Sequence, residues 1–380
     1  MSKLTQGSSG AAALFMAAGL ALTVGGAGAA TIGAQTLESP GSWITTNPLV
    51  YRASGPVITM RNGRILSVGG CGRKVQVFRP ALNRWKKSEP TGVPMCDPML
   101  ARLPHGKVLA FGGVRFLGGT VRRTRASVIY HPRTERWTRT GSLITARSEG
   151  AVARLAHGKT LVAGGYGPRL CIPMDSVEIY HPRSGRWTRT APLDRPRGSA
   201  QAAVLPDGDV LVMGGSPCGG AIASVERYDL TGRKWEPAAR LPRPGIPEVA
   251  TLSNGKIMAV GLYRRDGQTR VVAVFRPRHE DWRVVDPIPG TLWYGPPMAL
   301  HHGRPLIAGG QGKGECRTSA FRYAGRAQEW RRVEALPSPR CSISLATLKD
   351  GTVLAAGGRS VIDGAPGPQL KTSMRFSLND

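Results

Sequence analysis

Residues 157–187 read HGKTLVAGGYGPRLCIPMDSVEIYHPRSGRW, and three features of this stretch recur along the chain. The pair His157-Gly158 precedes an apolar run that ends at Gly164-Gly165, and Tyr180 is followed seven residues later by Trp187. A His, Asn or Asp before glycine suits a tight hairpin, because the central residues of such a turn need positive φ. The stretch therefore predicts successive short antiparallel strands.

The turn pair and the Gly-Gly strand recur seven times, with one degenerate Gly-Gly copy, and the aromatic–tryptophan pair recurs six times. Successive Gly-Gly positions are 43 to 52 residues apart. They are Gly69-Gly70, Gly112-Gly113, Gly164-Gly165, Gly214-Gly215, Gly261-Leu262 (degenerate), Gly309-Gly310 and Gly357-Gly358. The aromatic residues and their tryptophans are Phe78/Trp85, Tyr130/Trp137, Tyr180/Trp187, Tyr228/Trp235, Phe275/Trp282 and Tyr323/Trp330. The turn pairs are Asn62-Gly63, His105-Gly106, His157-Gly158, Asp207-Gly208, Asn254-Gly255, His302-Gly303 and Asp350-Gly351.

These residues resemble the Kelch repeat, in which a hydrophobic strand ends in Gly-Gly and a separated aromatic residue and tryptophan follow. The resemblance covers the chain from about Trp43 onward and is to secreted, bacterial-type propellers of the galactose oxidase and Kelch-like superfamily. It implies an all-β fold, a seven-bladed β-propeller of four-stranded antiparallel blades. The glycines then let neighbouring blades approach, and the large rings fill the space between them.

The ends of the repeat region predict how the ring closes. The seventh unit has its aromatic residue at Phe376 but no tryptophan seven residues later, whereas Trp43 stands alone 26 residues before Gly69. Internal tryptophans precede the next Gly-Gly by a similar interval. We therefore expect Trp43 to supply the outermost strand of the last blade, which removes the exposed sheet edges that favour aggregation.

The first thirty residues differ from the rest of the chain. An uncharged run rich in Ala, Gly and Leu extends from Ala11 to Ala30 and contains the small residues Ala27-Gly28-Ala29. This pattern is typical of a secretory signal peptide. The expected divisions are a signal peptide at 1–30, a short linker at 31–40 and the propeller at 41–380, in a protein exported to the periplasm, the cell surface or the medium. The alternative is an uncleaved anchor, and no later segment is apolar enough to cross a membrane.

Arginine stands seventeen residues before the Gly-Gly pair in four units, at the start of the innermost strand. These residues are Arg52, Arg147, Arg197 and Arg340. Innermost strands surround the central channel of a propeller, so the four arginines are candidates for a ligand site at its mouth. The alternative is that they are common blade-start arginines bonded to neighbouring backbone.

Residues that follow these positions vary most between units, and variation on a fixed repeat frame is typical of a grafted binding site. The remaining candidates are Asp97, Glu149, Gln201, Glu248, Trp293, Tyr294 and Ser342. Carboxylates can accept hydrogens from hydroxyl groups, and an aromatic face can stack on a ligand. We therefore expect a non-catalytic site for a protein or a glycan. The alternative is a carbohydrate-modifying enzyme of epimerase or lyase type that uses the axial carboxylates.

Propellers of this architecture include copper radical oxidases that resemble galactose oxidase, whose copper needs two tyrosines and two histidines near the axis. Tyr294 is the only axial tyrosine expected, and His105, His157 and His302 occupy hairpin positions. No Gly-rich phosphate loop, serine elbow or HExxH motif occurs. We therefore expect no metal and no other cofactor.

Six cysteines in an exported chain can pair in an oxidising compartment. The resemblance places the loop after each second strand and the start of each innermost strand on the same face, and the six cysteines fall there. It thereby implies disulfides Cys71–Cys96, Cys171–Cys218 and Cys316–Cys341, which would brace that face. The alternative, a metal–thiolate site, is disfavoured because the sequence contains no CxxC pair.

The chain contains 52 Lys and Arg against 24 Asp and Glu, a formal net charge of +28. Much of the positive charge falls on the outer turns of the repeats, where it would attract an anionic envelope polymer. Arginine-rich codon usage combined with solubility is the alternative explanation. No nucleic-acid-binding fold is recognisable, so we do not expect the protein to bind nucleic acid. We expect the protein to be a monomer.

Overall fold

A computed structural model describes residues 41–52, 55–69, 71–117, 119–168, 171–218, 220–263, 269–289, 298–312, 315–325, 327–362 and 365–378. These residues form seven four-stranded antiparallel sheets, numbered here as blades 1 to 7. The expected all-β, seven-bladed propeller is confirmed. The expected signal peptide and linker lie outside the described residues.

The strands follow one another blade by blade, except that the first belongs to the last blade. This strand is β1 (Ser42–Thr45). Blade 1 contains β2 (Val57–Thr59), β3 (Ile65–Val68), β4 (Val75–Arg79) and β5 (Arg84–Lys87). Blade 2 contains β6 (Met99–Arg102), β7 (Val108–Phe111), β10 (Ser127–His131) and β11 (Arg136–Arg139), with the separate hairpin β8 (Val114–Leu117) and β9 (Thr120–Arg123) inserted. Blade 3 contains β12 (Ala151–Arg154), β13 (Thr160–Ala163), β14 (Val177–His181) and β15 (Arg186–Thr190).

The remaining blades repeat this arrangement. Blade 4 contains β16 (Gln201–Val204), β17 (Val210–Met213), β18 (Val225–Asp229) and β19 (Lys234–Ala238). Blade 5 contains β20 (Gly245–Thr251), β21 (Ile257–Tyr263), β22 (Thr269–Arg276) and β23 (Asp281–Val285). Blade 6 contains β24 (Met298–His301), β25 (Arg304–Ala308), β28 (Ala320–Ala324) and β29 (Glu329–Val333), with the hairpin β26 (Gln311–Gly312) and β27 (Glu315–Cys316) inserted. Blade 7 contains β30 (Ser344–Thr347), β31 (Val353–Ala356) and β34 (Ser373–Ser377), with the hairpin β32 (Arg359–Ile362) and β33 (Ala365–Gln369) inserted.

The hydrophobic core lies between blades, because each blade presents apolar side chains on both of its faces. Second strands such as β3 and β13 are buried along their whole length. One cluster joins Phe111 of blade 2 to Tyr180 and Trp187 of blade 3, and similar clusters join the other neighbours. Each blade therefore depends on the next for its burial, as expected of a repeat protein.

The ring closes as the sequence predicts. Strand β1 pairs with β34, with Trp43 opposite Phe376, and blade 7 has the order β1-β34-β31-β30. Trp43 is only 7% exposed, and its indole Nε1 donates to the carbonyl of Glu334 in blade 6 at 2.9 Å. Strand β2 packs beside β30, so blade 1 follows blade 7 around the channel.

Antiparallel connectivity gives the propeller two different faces. We call the one that carries the starts of the innermost strands and the loops after the second strands the loop face, and the one that carries the two turns of each blade the hairpin face. Three short 3-10 turns, Pro80–Leu82, Pro104–Gly106 and Ala156–Gly158, lie on the hairpin face. Within the part of the chain that the structure describes, no helix has the length and apolarity needed to cross a membrane.

Candidate functional site at the channel mouth

Three cysteine pairs lie at disulfide distance on the loop face. The Cα atoms are 4.2 Å apart in Cys71–Cys96, 5.7 Å in Cys171–Cys218 and 4.9 Å in Cys316–Cys341. This is the predicted connectivity. Two pairs join the loop of one blade to the start of the next, and Cys171–Cys218 joins loops of blades 3 and 4, so the loop face is cross-linked between blades.

Three of the four candidate arginines fold into their blades instead of facing a ligand. Arg147, Arg197 and Arg340 are at most 2% exposed. Their guanidinium groups donate to the first glycine carbonyl of the Gly-Gly pair seventeen residues later, at 2.8 Å from Arg147 to Gly164. A fully buried side chain offers no surface for ligand contact. The prediction that these three arginines bind a ligand is therefore corrected: they hold the start of the innermost strand against its blade.

Two buried carboxylates complete this arrangement, and sequence reasoning missed both. Glu178 accepts from Arg147 at 2.7 Å and from the backbone N–H groups of Ile144 and Thr145 at 2.7 and 3.0 Å. Glu226 accepts from Arg197 at 2.5 Å in the equivalent position of blade 4. The available signal was a glutamate two residues before the repeated tyrosine, inside a strand whose neighbours are apolar.

Two related positions in the repeat depart from this arrangement. Arg340 has no carboxylate partner among the described residues and donates instead to the carbonyl and hydroxyl of Thr372, at 3.1 and 2.7 Å. Burial lowers the pKa of its guanidinium. Arg52 in blade 1 is exposed. There the side chain of Gln76 bonds to both backbone groups of Tyr51. Of the four arginines, Arg52 therefore remains available on the loop face.

The residue two positions before the innermost strand has the same unusual conformation in four blades. Asp97, Glu149, Ser199 and Ser342 have φ of 46°, 55°, 51° and 50°. We call them the rim residues. Left-handed backbone is uncommon for residues other than glycine, and its recurrence shows that the frame fixes how these side chains are presented. Asp97, Glu149 and Ser342 are exposed.

Three rim residues of consecutive blades form a contiguous polar patch. The Ser199 hydroxyl donates to Glu149 Oε2 at 2.5 Å, and the Ser199 N–H donates to the Glu149 carbonyl at 2.9 Å. Partial burial of its carboxyl group, together with the nearby charge of Glu149, raises the pKa of Asp97. Within the described chain, neither carboxylate has a Lys or Arg within ion-pair distance. The patch therefore carries uncompensated negative charge in a strongly basic protein.

A second tier of side chains lies one step further along the innermost strands. Gln201, Glu248 and Ser344 pair with equivalent residues of the second strands, Met213, Val260 and Ala356. Burial raises the pKa of the half-buried Glu248 carboxyl to about 7. Glu248 makes no hydrogen bond or ion pair with any described residue, and neither rim carboxylate affects its pKa. The structure therefore brings Asp97 and Glu149 together and leaves Glu248 apart.

An aromatic side chain beside the rim was missed by sequence reasoning. Tyr166 follows Gly164-Gly165, and its ring covers Gly198, where an added Cβ would lie only 2.4 Å from the ring. The guanidinium of Arg123 lies 5.9 Å from the Tyr166 ring centroid and donates from Nε to the Ser148 hydroxyl at 3.2 Å. The sequence signal for this contact was a tyrosine, Tyr166, directly after Gly164-Gly165 in one unit and a glycine, Gly198, at the start of the next unit.

The predicted aromatic pair Trp293 and Tyr294 lies outside the described residues. The histidines at hairpin positions, His105, His157 and His302, have positive φ in turns of the hairpin face, far along the blades from the rim. Across the described ranges, no three His, Cys, Asp or Glu side chains are grouped so that they could hold a metal ion.

Comparison with known proteins gives short sequence matches to one kind of repeat. A sequence profile of the Kelch motif matches residues 150–193, which contain blade 3. Kelch-like protein 35 of Mus musculus is 29% identical over 139 residues, which cover 36% of this chain and 23% of that protein. Kelch-like protein 34 of Homo sapiens is 30% identical over 150 residues, 37% of this chain and 22% of that protein. The chain thus spans a quarter or less of these curated relatives.

Among solved structures, the chain is similar to one described as a novel fungal alcohol oxidase with catalytic diversity among the AA5 family, in complex with copper. The TM-score is 0.67 at 14% identity, and the match covers 89% of this chain and 76% of that one. At this identity the likeness concerns the fold alone.

Proposed function

Because the chain is a Kelch-repeat β-propeller, we propose that it is an exported binding module whose rim holds a Lys- or Arg-bearing segment of a partner protein. Kelch propellers are mostly interaction platforms, and the matched segments cover a quarter or less of the Kelch-like relatives. The binding role of the rim is inferred from its chemistry.

The observation that carries this proposal is the pair of carboxylates Asp97 and Glu149. They are exposed and have no cationic partner among the described residues, although the chain has 28 more basic than acidic residues. Both residues have left-handed backbone, and the hydrogen bond from Ser199 holds the Glu149 carboxylate in place before a ligand arrives. Preorganisation reduces the entropy lost on binding, and a cation placed between two carboxylates forms charge-assisted hydrogen bonds.

A peptide panel tests the proposal. Fluorescently labelled heptapeptides containing Lys or Arg should bind the purified protein, whereas acidic and neutral analogues should not. The double change Asp97→Asn with Glu149→Gln should weaken binding by about tenfold or more, since hydrogen bonds to charged groups contribute about 1.5–3 kcal/mol. Glu236→Gln is the matched control, because that exposed carboxylate pairs with Lys234 away from the rim. Equal loss in the control, or no binding of any basic peptide, would overturn the proposal.

Glu248 favours a second candidate, a carbohydrate-modifying enzyme. An unpaired carboxyl with a pKa near 7 on a channel-lining strand is suited to general acid or base catalysis. A screen of neutral and acidic sugars for epimerase or lyase turnover tests it. Activity that disappears in Glu248→Gln and persists in the rim double variant would favour the enzyme over the binding module.

Export is supported by the three cysteine pairs, since disulfides persist in oxidising compartments. Exposed arginines on the outer turns, such as Arg133, Arg136 and Arg183, give the exported protein a basic periphery. We propose that this periphery adds weak, salt-sensitive attraction to anionic envelope polymers. Sedimentation with anionic and neutral polysaccharide at low and high salt tests this, and equal sedimentation with both polymers would contradict it.

A further inference from the structure

A cleft of about 360 Å³ lies between blades 5 and 6 on the hairpin face. Blade 5 contributes Leu252, Ser253, Asn254, Lys256, Val274, Arg276, Arg283 and Val285, and blade 6 contributes Gly303, Arg304, Pro305, Tyr323, Gly325 and Gln328. The cleft is on the opposite face from the rim, and none of the rim residues lines it. Its walls combine apolar side chains with four cations, and no carboxylate of a described residue lines it.

At this cleft a hydrogen bond that links three other pairs of neighbouring blades is missing. The repeated tyrosine normally bonds to a hydroxyl three residues after the tryptophan of the preceding blade. Tyr130 pairs with Ser88 at 3.0 Å, Tyr180 with Thr140 at 2.7 Å, and Tyr228 with Thr190. In blade 5 that position is Val285, so the hydroxyl of Tyr323 has no hydrogen-bond partner among the described residues. A hydroxyl at the wall of a polar cleft is a donor available to a ligand.

An ion pair that links blades 4 and 5 has no counterpart at this cleft. Arg227 of blade 4 bonds to Glu280 of blade 5 at 2.7 Å. The equivalent positions one blade further on are Val274 and Gln328, which both line the cleft. Valine and glutamine cannot form the ion pair that arginine and glutamate form between blades 4 and 5.

The cations around the cleft are only partly neutralised. Arg276 is bonded to Asp281, at 2.7 Å from its Nε. Lys256 and Arg283 have no ion-pair partner in the described part of the chain. Burial, with a contribution from the charge of Asp286, raises the pKa of Tyr323 and keeps the phenol protonated as a donor. The polar groups of the cleft are therefore mostly donors, whereas its floor is apolar.

We propose that this cleft binds an organic anion of monosaccharide size, whose carboxylate, sulfate or phosphate group contacts Lys256 and the Tyr323 hydroxyl and whose carbon frame lies against Val274 and Val285. The volume falls within the range of small-ligand sites, about 300–1,000 Å³, which combine an apolar lining with a few placed polar groups. Arginine and lysine supply the charge-assisted hydrogen bonds that such an anion needs.

Calorimetric titration of the full chain with glucuronate, glucose 6-phosphate and glucose tests the inference. The two anions should bind with Kd below about 1 mM, and neutral glucose should not. Comparison of the carboxylate with the phosphate identifies the acid group that the cleft prefers. Lys256→Gln should weaken binding by about tenfold.

Two closing variants make the test specific. Val285→Thr restores the partner hydroxyl that Thr190 gives Tyr228, and Val274→Arg with Gln328→Glu restores the bridge formed by Arg227 and Glu280. Both should abolish anion binding and raise the midpoint of thermal unfolding. Thr190→Val is the matched control in the neighbouring blades and should leave anion binding unchanged.

Three results would overturn the inference: no binding of either anion, equal binding of glucose, or unchanged binding in both closing variants. The rim variants Asp97→Asn and Glu149→Gln should leave anion binding unchanged. Failure at the cleft is therefore distinguishable from failure at the rim.

Discussion

The ring of Trp43 lies 5.1 Å from the ring of Phe376 at an interplanar angle of 51°, and this pair closes the propeller. Its geometry is that of the pairs inside single repeats, for example Tyr130 with Trp137 at 5.0 Å and 51°. The closing contact between the two ends of the described chain is thus built like every other contact between third and fourth strands.

Trp43→Ala should destabilise the propeller by about 3–5 kcal/mol, the usual cost of removing a buried large aromatic side chain. The side chain is almost fully buried, and its loss also frees the carbonyl of Glu334 that accepts from the indole. Ile44→Ala in the same strand is the control, because Ile44 is 55% exposed and should cost less than about 0.5 kcal/mol. Urea unfolding measures both, and equal effects would contradict the closing role of Trp43.

The fold could be predicted because strand pairing fixes the spacing of its marker residues. Residues seven apart across a tight turn stand directly opposite each other, as Tyr180 and Trp187 do. The seven-residue interval therefore indicates which residues of the third and fourth strands of a blade pair with each other. The inserted hairpin β8–β9 could not be predicted, because its residues contain none of the repeated marker residues.

The positions of the candidate side chains could be predicted from the sequence only in part. The interval of seventeen residues before the Gly-Gly pair identifies Arg147 and Arg197 as repeated positions. It does not determine whether a guanidinium points into the channel or back beneath the Gly-Gly pair. That choice depends on Glu178 and Glu226, which are on another strand. Tyr166 was missed because it belongs to a loop with no repeated pattern.

Glu226→Ala should destabilise the protein by about 3–5 kcal/mol, because it leaves the buried Arg197 without its carboxylate. The double change of Arg197→Met with Glu226→Leu should cost much less, since no buried charge remains. Glu280→Ala is the control, because its ion pair with Arg227 is largely exposed and should be worth less than about 1 kcal/mol. Urea unfolding distinguishes the three, and a double variant as unstable as Glu226→Ala would show that the charge is not the cause.

His301 should make the propeller sensitive to acid. Its ring is fully buried, and neither ring nitrogen has a hydrogen-bond partner within the described residues. Burial, followed by the charges of Arg322, His302 and Arg304, lowers its pKa to about 4, and Asp350 opposes this weakly. The unfolded chain, with a pKa near 6.5, binds the proton more readily, so stability should fall between about pH 6.5 and pH 4, by up to about 3 kcal/mol.

His301→Leu tests this expectation. The difference in unfolding free energy between the variant and the wild type should grow in favour of the variant as the pH falls through that window. His157→Asn, a change in an exposed hairpin turn to a residue found at equivalent positions, should show no such trend. A constant difference from pH 7 to pH 4 would contradict the assignment.

Glu248 should have the opposite effect, at higher pH. Its folded pKa of about 7 lies above the usual value of 4.5, so the native state holds a proton that the unfolded chain releases between these values. The carboxyl therefore destabilises the native state progressively from about pH 4.5 to pH 7, by up to about 3 kcal/mol, and the penalty stays constant above pH 7.

Glu248→Gln, which cannot ionise, should match the wild type at pH 4 and exceed its stability at pH 8. Gln201→Glu is the converse variant one blade away and should introduce a similar loss at high pH if burial of the second tier is the cause. Urea unfolding at pH 4, 6 and 8 measures both, and a Glu248→Gln variant no more stable than the wild type at pH 8 would show that the ionised carboxylate has a partner in the folded protein.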